Sequence, residues 1–405
     1  MIAAIAWRNV WRNRWRSIVI LMAITAGLTG GILTVAIYTG LSDQKVRAAI
    51  NVETAHLQIH APGFLDNKDL KLAIANPDKM VSIIASENGV QSISPRLVAT
   101  AMAASANANS GVQLNGIVPE KERAVSTLYH FVTQGEYFPP GKRNQILISQ
   151  RTAEKLKVAL HGKVIVTLQD VNGDIVGAAF RVSGIFRTTH SMFDEANVFV
   201  RKADLERILS MAGAVNEIAI RVRDIDQVEE VQGSLQAKIP ADHADIASWR
   251  QIQPELAYIT DVTWQVNYLI LIIILLALAF GILNTMLMAI FERVKEIGVL
   301  MAVGMSKARI FIMIIMETVF LSLTGAVLGM AISAWVVSVA GTKGINLGIF
   351  AQGLEAYGYS SVIYPQLAPV FYVTLAFMVI MAALLSSLYP AYKALTLNPV
   401  EAIHG

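Results

Sequence analysis

The sequence predicts an α-helical membrane protein with four transmembrane helices and a large α/β extracytoplasmic domain inserted between the first and the second helix. Four apolar stretches are each long enough to cross a bilayer, which takes about 20 apolar residues. Most charged residues lie between the first and the second of these stretches. Within that charged segment, helical and strand patterns alternate along the chain, which is typical of a folded α/β domain.

The four apolar stretches each hold at most one Asp, Glu, Lys or Arg: Ser17–Ser42, Val262–Phe291, Ile310–Thr342 and Ala356–Tyr392. The one charged residue among them is Glu317. A helix is predicted for each stretch, because lipid offers backbone groups no hydrogen-bonding partners. We place the transmembrane spans at the following positions: 18–40, 263–291, 310–340 and 369–390.

Charge distribution predicts the orientation of these spans. Of the 63 charged residues, 48 lie in segment 41–262, which we predict to be the outer domain. Outside that segment, nine of ten Lys and Arg residues fall on one side of the predicted spans, and only Lys343 falls on the other. Cytoplasmic loops carry such an excess of basic residues. We therefore expect segments 1–17, 292–309 and 391–405 in the cytoplasm, and loop 341–368 on the outer side.

The outer domain shows clear local patterns. His56–His60 alternates like a strand, and Lys163–Val182 reads as a β-hairpin that turns at Asn172-Gly173. Helices are predicted at four places: 76–86, 149–157, 202–211 and 226–238. We expect two lobes, of which the more β-rich covers about residues 113–200.

Composition and motifs exclude several classes of function. With no cysteine, the chain has no disulfide, thiolate nucleophile or Cys-ligated zinc. It has no GxxxxGK[ST], GxSxG, HExxH or GxGxxG motif, so we predict no catalytic residues and no enzyme activity in this chain. A net charge of +3 does not indicate nucleic-acid binding.

We predict no metal site. His56 and His60 would lie about 13 Å apart on a strand, too far for one ion. Asp170–Asp174 lacks the glutamate at position twelve that a calcium loop needs, and a hairpin turn explains it better.

The first residues predict a helix that lies in the membrane interface. Its tryptophans form one helical stripe and its arginines the adjacent stripe: Trp7, Trp11 and Trp15, then Arg8, Arg12 and Arg16. Tryptophans then lie at headgroup depth and the arginines face anionic lipid, so membrane lipid is an expected partner. Two interpretations stay open: a simple topology anchor, or a cytoplasmic helix that also contacts a partner protein.

Small and ionisable residues inside the spans point to helix packing. Gly27 and Gly31, like Gly325 and Gly329, have the four-residue spacing that permits close helix contact. An ionisable residue within a span is a candidate functional residue. No second ionisable residue lies in any span to form a proton relay with Glu317, so we favour a snorkelling or interhelical hydrogen-bonding role for it.

Between the second and third spans, the stretch FERVKEIGVLMAVGMSKARI (Phe291–Ile310) holds six charged residues in twenty. It predicts a short helix that Gly304 ends. Val294, Ile297 and Met301 form an apolar stripe on one side of this helix. A projecting helix with an apolar stripe bordered by charge fits docking into the groove of a partner.

The same stretch resembles the ERxxEIGxLxAxG signature of the MacB/FtsX-like family of ABC-transporter permeases. The closing YPAYKALTLNPVEAIHG is similar to that family's PAxxAxxxxPxEA pattern, with these residues in register: Pro390, Ala391, Ala394, Pro399, Glu401 and Ala402. Thr188–Val200 is similar to the lipoprotein-releasing LolC/LolE branch. The resemblance covers both ends of the chain strongly and the outer domain loosely.

The resemblance implies a multi-pass permease of the bacterial inner membrane with a periplasmic outer domain. It acts as a dimer with an identical or paralogous chain, and a separate cytoplasmic ABC ATPase binds ATP and Mg²⁺. This chain itself is expected to hold no cofactor. The residues implied at the ATPase contact are Glu292, Arg293, Glu296, Ile297, Gly298, Leu300, Ala302 and Gly304.

Three functions remain open. The first is mechanotransmission, in which ATP hydrolysis drives the outer domains to extract or export lipoprotein or another outer-leaflet or periplasmic substrate. The second is efflux of drugs or peptides. The third, from another class, is a membrane sensor that relays binding at the outer domain to a cytoplasmic partner.

Overall fold

The structure is a computed structural model and describes residues 2–12 and 14–396. Within these residues the helices, α1 to α15 in chain order, are Ile2–Arg12, Arg14–Ala49, Phe64–Asn67, Pro77–Ala85, Pro119–Val125, Gln150–Leu156, Ser191–Ala196, Lys202–Leu209, Val228–Lys238, Trp249–Ile252, Pro254–Glu292, Val294–Ala302, Lys307–Lys343, Ala351–Ala356 and Pro369–Leu395.

The strands of the same part of the chain, β1 to β12, are Leu57–His60, Val90–Ala104, Asn109–Ile117, Val132–Gly135, Gln145–Ser149, Lys163–Gln169, Ile175–Phe186, Asn197–Arg201, Glu217–Val222, Asp245–Ser248, Ile345–Asn346 and Val362–Ile363. The chain divides into two compact units. One, which we call the membrane unit, comprises the residues up to Ser42, Asp261–Asn346 and the residues from Val362 onward; the other, the outer domain, comprises Asp43–Thr260 and Leu347–Ser361.

Four helices are long and apolar enough to cross a membrane: Ser17–Thr54, Pro254–Glu292, Lys307–Lys343 and Pro369–Leu395. Each reaches beyond the span predicted from composition at one or both ends, because a helix continues into polar sequence as long as its backbone bonds are satisfied. The outer α/β domain lies between the first and the second of these helices in the chain. The predicted fold class is confirmed.

Helices α2 and α11 approach closely at two glycines of α2. A Cβ atom on Gly27 would lie 2.9 Å from a side-chain carbon of Leu278, and one on Gly31 would lie 2.7 Å from Ile274. Real Cβ atoms do not approach other atoms that closely. Because glycine has no side chain at these two positions, Leu278 and Ile274 can pack directly against the backbone of α2.

Helix α2 also packs against α13, again at a glycine pair. The hydroxyl of Thr25 donates to the carbonyl of Gly325 at 3.2 Å, and that of Thr29 donates to Gly329 at 3.3 Å. A Cβ on Gly329 would lie 3.1 Å from the backbone carbonyl oxygen of Thr25. Both small-residue spacings noted in the sequence therefore lie at helix–helix contacts of the membrane unit.

The outer domain contains one ten-stranded sheet in the order β10-β1-β9-β2-β3-β8-β5-β7-β4, and β6 pairs with both β2 and β7. The strands β2-β3-β8-β5-β7-β6 thus close into a ring, which removes the exposed edges that an open sheet would present. Small and branched side chains fill this ring, among them Ala101, Val166 and Val182. A second apolar core lies under β1, β9 and the helices α4 and α9.

The local predictions for the outer domain are confirmed at β1, at the β6–β7 hairpin and at all four predicted helices. The ring begins at Leu97 of β2, however, well before the predicted start of the β-rich lobe at residue 113. Strand β2 was not predicted. Its alanines have low strand propensity, and together with Pro95 they hide the alternation of apolar and polar residues that indicates a strand. Its inward alanines instead suit the narrow interior of a ring.

His56 and His60 are buried beside the second apolar core of the outer domain and form hydrogen bonds there. His56 accepts a hydrogen bond at Nδ1 from the backbone N–H of Val222 at 2.8 Å. Burial, assisted by the positive charge of Arg221, lowers the pKa of His56 from 6.5 to about 4. His60 is fully buried between the carbonyl of Asn216 and the amide of Gln58, and burial lowers its pKa too.

The outer domain is therefore expected to lose stability as the pH falls below about 6.5. The unfolded chain binds protons at both histidines near that pH, whereas the folded domain resists protonation of His56 until about pH 4. Denaturant unfolding of the full chain at pH 7.5 and 5.5, followed in the outer domain, measures the loss. His56→Gln should reduce this pH dependence, and the exposed control His243→Gln should not. Equal pH dependence in wild type and His56→Gln would contradict the prediction.

Candidate docking site

The charged stretch between α11 and α13 folds as the short helix α12, bounded by tight turns. Arg293 precedes its first residue, and the helix ends at Ala302. Gly304 has a φ of +95°, a left-handed conformation that glycine adopts without strain. Its N–H donates to the carbonyl of Met301 at 3.1 Å, and that of Met305 donates to Leu300 at 3.0 Å. The predicted helix and its glycine end are confirmed.

One side of α12 faces the apolar core of its own unit. Ile297 and Gly298 are buried, and Met301 and Leu300 pack against that core. The stripe of Val294, Ile297 and Met301 was predicted to dock into a partner, but Ile297 is buried and Met301 packs against the core of its own unit. Periodicity showed that the helix has an apolar side, but it could not show that the chain itself covers that side.

The opposite side of α12 is exposed. We define the exposed face of α12 as Lys295, Val299 and Ala302 together with Val303, which directly follows the helix. Val299 is 50% exposed and Val303 is 83% exposed. Three of these residues were missed because they occupy variable positions of the family signature. Their spacing was the available signal, since positions 295, 299 and 302 lie on the helix side opposite Ile297.

The predicted coupling residues thus divide by burial. Glu292, Glu296, Ala302 and Gly304 are exposed, whereas Ile297 and Gly298 are buried and Arg293 and Leu300 are half-buried. A direct ATPase contact by the exposed residues stays a prediction. A role of Ile297 and Gly298 in ATPase coupling also stays a prediction, and because both are buried, such a role would act through packing within the unit.

The side chain of Arg293 points toward α13 rather than toward solvent. Its Nη1 lies 3.2 Å from both carboxylate oxygens of Glu317, and its Nε donates to Glu296 at 2.9 Å. Glu317 is only 4% exposed. Of the roles considered for Glu317, the structure therefore supports an interhelical ion pair between the start of α12 and α13.

Glu296 receives a second cation from the N-terminal helix. Arg12 of α1 forms an ion pair with it in addition to Arg293. The hydrogen bond from Arg12, which outweighs the opposing effect of burial, and that from Arg293 hold the pKa of Glu296 below its usual range. The carboxylate therefore stays charged at neutral pH and joins α1 to α12.

Helix α1 packs along α13. The ring of Trp7 meets that of Phe320 edge-on, with 5.7 Å between centroids, and also contacts Trp11. Trp15 is 82% exposed and Arg8 is exposed. The side chain of Arg16 lies outside the described residues. Placement of these tryptophans in lipid stays a prediction, but α1 already has partners within its own chain.

The C-terminal motif lies partly in α15. Pro390, Ala391 and Ala394 are buried within that helix. Pro399, Glu401 and Ala402 lie outside the described residues. Among the residues that are described, no group of three or more His, Cys, Asp or Glu side chains is arranged to hold a metal ion.

Four apolar helices, an α/β domain inserted after the first, and a short helix projecting between the second and third define a permease-type membrane protein. A family model described as "MacB-like periplasmic core domain" matches residues 17–238, more than half of the chain. The model "FtsX-like permease C-terminal" matches residues 268–399. The chain belongs to the MacB/FtsX-like family of ABC-transporter permeases, as its motifs indicated.

Similar proteins include the "Lipoprotein-releasing system transmembrane protein LolC" of Xylella fastidiosa, 22% identical over 407 residues, which cover 95% of this chain and 92% of that protein. A "Macrolide export ATP-binding/permease protein MacB 2" of Yersinia pestis is 24% identical over 400 residues, 95% of this chain but 55% of that protein. Among solved structures, the periplasmic region of MacB from Actinobacillus actinomycetemcomitans matches with a TM-score of 0.36 and 11% identity, covering 53% of this chain and 98% of that one.

Proposed function

We propose that this ABC-transporter permease works with a separate cytoplasmic ATPase, and that ATP hydrolysis there moves its outer domain to extract or export lipoprotein or another outer-leaflet substrate. The ATPase would bind ATP and Mg²⁺, and a second identical or paralogous permease would complete the dimer. The observation that carries the proposal is α12 itself. Its inner side is anchored in the membrane unit, while its outer side presents two exposed valines beside a lysine.

A helix built in this way suits transmission of force. An exposed apolar face can bind a groove in a partner, and a buried opposite side leaves the helix little freedom to move alone. The sequence has no GxxxxGK[ST] motif, so ATP is expected to be bound by the partner. The distribution of Lys and Arg supports a cytoplasmic location for α12 and both termini.

Lipoprotein release is favoured over drug or peptide efflux on one observation. The match to the LolC protein runs over 92% of that protein, whereas the match to MacB 2 covers 55% of a longer chain. Because the LolC protein matches this chain along nearly its whole length, its printed function is the better guide to the function of this chain. The sensor alternative would share α12 as a contact but would not stimulate ATP hydrolysis.

Purification of the tagged full chain in mild detergent, followed by mass spectrometry, tests the proposal. We expect a stoichiometric P-loop ATPase together with a second, similar permease. An ATPase with this chain alone would indicate a homodimer and favour efflux. A folded preparation that retains no ATPase would contradict the proposal and would favour the sensor.

A further inference from the structure

The side chain of Arg293 points into its own unit rather than toward the surface where a partner would dock. It stands at the start of α12 and reaches Glu317, which lies 24 positions further along the chain, in α13. The Arg293 side chain is 17% exposed and that of Glu317 is 6% exposed. The two groups face each other inside the unit, away from the exposed face of α12.

A carboxylate in this environment is costly. Removing an ion from water carries a large desolvation penalty, which only close, well-directed pairing offsets. A neutral side chain of similar size would fill the same space without that penalty. What a buried ion pair adds is a defined position, since the guanidinium must stay opposite the carboxylate.

The surroundings leave little room for the pair to rearrange. The cavity beside it measures about 10 Å³ and is lined by both charged residues together with Ile297, Met313 and Ile314. That volume is at the lower limit for a single water molecule. Movement of α12 relative to α13 would therefore have to break the ion pair or displace packed side chains.

A second connection reaches α13 through the N-terminal helix. Arg12 of α1 pairs with Glu296 of α12, and Trp7 of α1 packs on Phe320 of α13. The carboxylate of Glu296 thus lies between two arginines, one on each route. The start of α12 is held to α13 directly by Arg293 and indirectly by α1.

We propose that Arg293 is a positioning residue that clamps α12 to α13 through Glu317, so that displacement of α12 by a docked ATPase moves α13 with it. The inference rests on the proposed function and extends it, because it assigns Arg293 to transmission rather than to ATPase contact. Binding of the ATPase and the response to its ATP hydrolysis then depend on different residues of the same short segment.

The test uses the full chain in nanodiscs with the ATPase that co-purifies with it. Three quantities are measured for each variant: ATPase affinity, the rate of ATP hydrolysis relative to the free ATPase, and thermal stability. Arg293→Met removes the guanidinium, and the double variant Arg293→Met/Glu317→Gln also removes the carboxylate left behind. Arg293→Lys keeps a cation. Arg47→Met, which breaks an exposed ion pair with Asp43 in the outer domain, is the matched control.

Arg293→Met should keep ATPase affinity within about twofold of wild type while permease-dependent stimulation of hydrolysis falls at least about fivefold, the lower end of typical coupling between sites. The double variant should regain thermal stability, since no buried charge is left unpaired, yet remain uncoupled. Arg293→Lys should restore most of the stimulation, and the control should match wild type.

Wild-type stimulation in the double variant would overturn the clamp, because coupling would then not need the ion pair. A loss of ATPase affinity in Arg293→Met as large as its loss of stimulation would overturn it as well and return Arg293 to the docking surface. If even the wild-type chain binds no ATPase, the proposed function fails first. That outcome is recognised by equal absence of binding in every variant.

Discussion

Replacing Val299 and Val303 by aspartate is expected to weaken ATPase binding at least about 30-fold, equivalent to the 2 kcal/mol of an interface hot spot. Both side chains are exposed in this chain, on the side of α12 opposite its buried anchor. A carboxylate buried against an apolar groove has to lose its water without gaining a partner. The permease itself should fold normally, because neither valine contributes to its core.

Ala308→Asp is the matched control for this experiment. It adds one carboxylate, half the charge of the double variant, at an exposed position in the first turn of α13, where an acidic residue is favourable. Val299→Thr/Val303→Thr, which keeps the shape and loses only part of the apolar surface, should weaken binding modestly. Affinity is measured by titrating purified ATPase onto immobilised permease. Unchanged affinity in the double aspartate variant would exclude the exposed face of α12 as the ATPase site.

Arg96→Met is expected to destabilise the outer domain by about 3–5 kcal/mol, the typical cost of breaking a buried ion pair on one side. Arg96 lies in β2, where it contacts Glu122 of α5 at 2.6 Å and Glu217 of β9 at 2.7 Å. All three residues are buried. Burial by itself lowers the pKa of Arg96, but the two carboxylates outweigh it and raise that pKa, so the guanidinium remains charged.

The position of Arg96 in the sheet makes it important. Up to this residue β2 pairs with β9, and from Leu97 onward it pairs with β3. Asn216 supports the same junction, since its side-chain amide exchanges two hydrogen bonds with the backbone of Val98 at 2.7 and 2.8 Å. Loss of Arg96 would leave two charges unpaired where the sheet changes partners.

Hydrogen exchange in the full chain checks this prediction, because it reports stability separately for each part of the protein. Protection of the β2 and β9 amides should fall sharply in Arg96→Met. Arg47→Met, at an exposed ion pair, should cost less than about 1 kcal/mol. Removing the two carboxylates as well, with Glu122→Gln and Glu217→Gln, should recover part of the loss. Protection equal to wild type in Arg96→Met would show that the junction does not depend on the guanidinium.

Several features could be predicted because each depends on a short stretch of chain. A run of about 20 apolar residues is sufficient to indicate a span, and Asn172-Gly173 between alternating residues is sufficient to indicate a hairpin. Helix α12 and its end at Gly304 also follow from local residues. The family motifs added the expected partner, but they marked signature positions without separating buried residues from exposed ones.

Other features required the packing of segments far apart in the chain. The closed ring could not be predicted, because pairing of β6 with β2 depends on residues about 60 positions apart, and β2 has weak strand propensity. The inward side of α12 and the pairing of Arg293 with Glu317 depend likewise on the approach of α13. Composition and periodicity therefore specified the spans, the inserted domain and the projecting helix. Only long-range contacts showed which face of that helix is exposed and which of its charges form structural ion pairs. Burial depends on residues far away in the chain, which the local sequence does not identify.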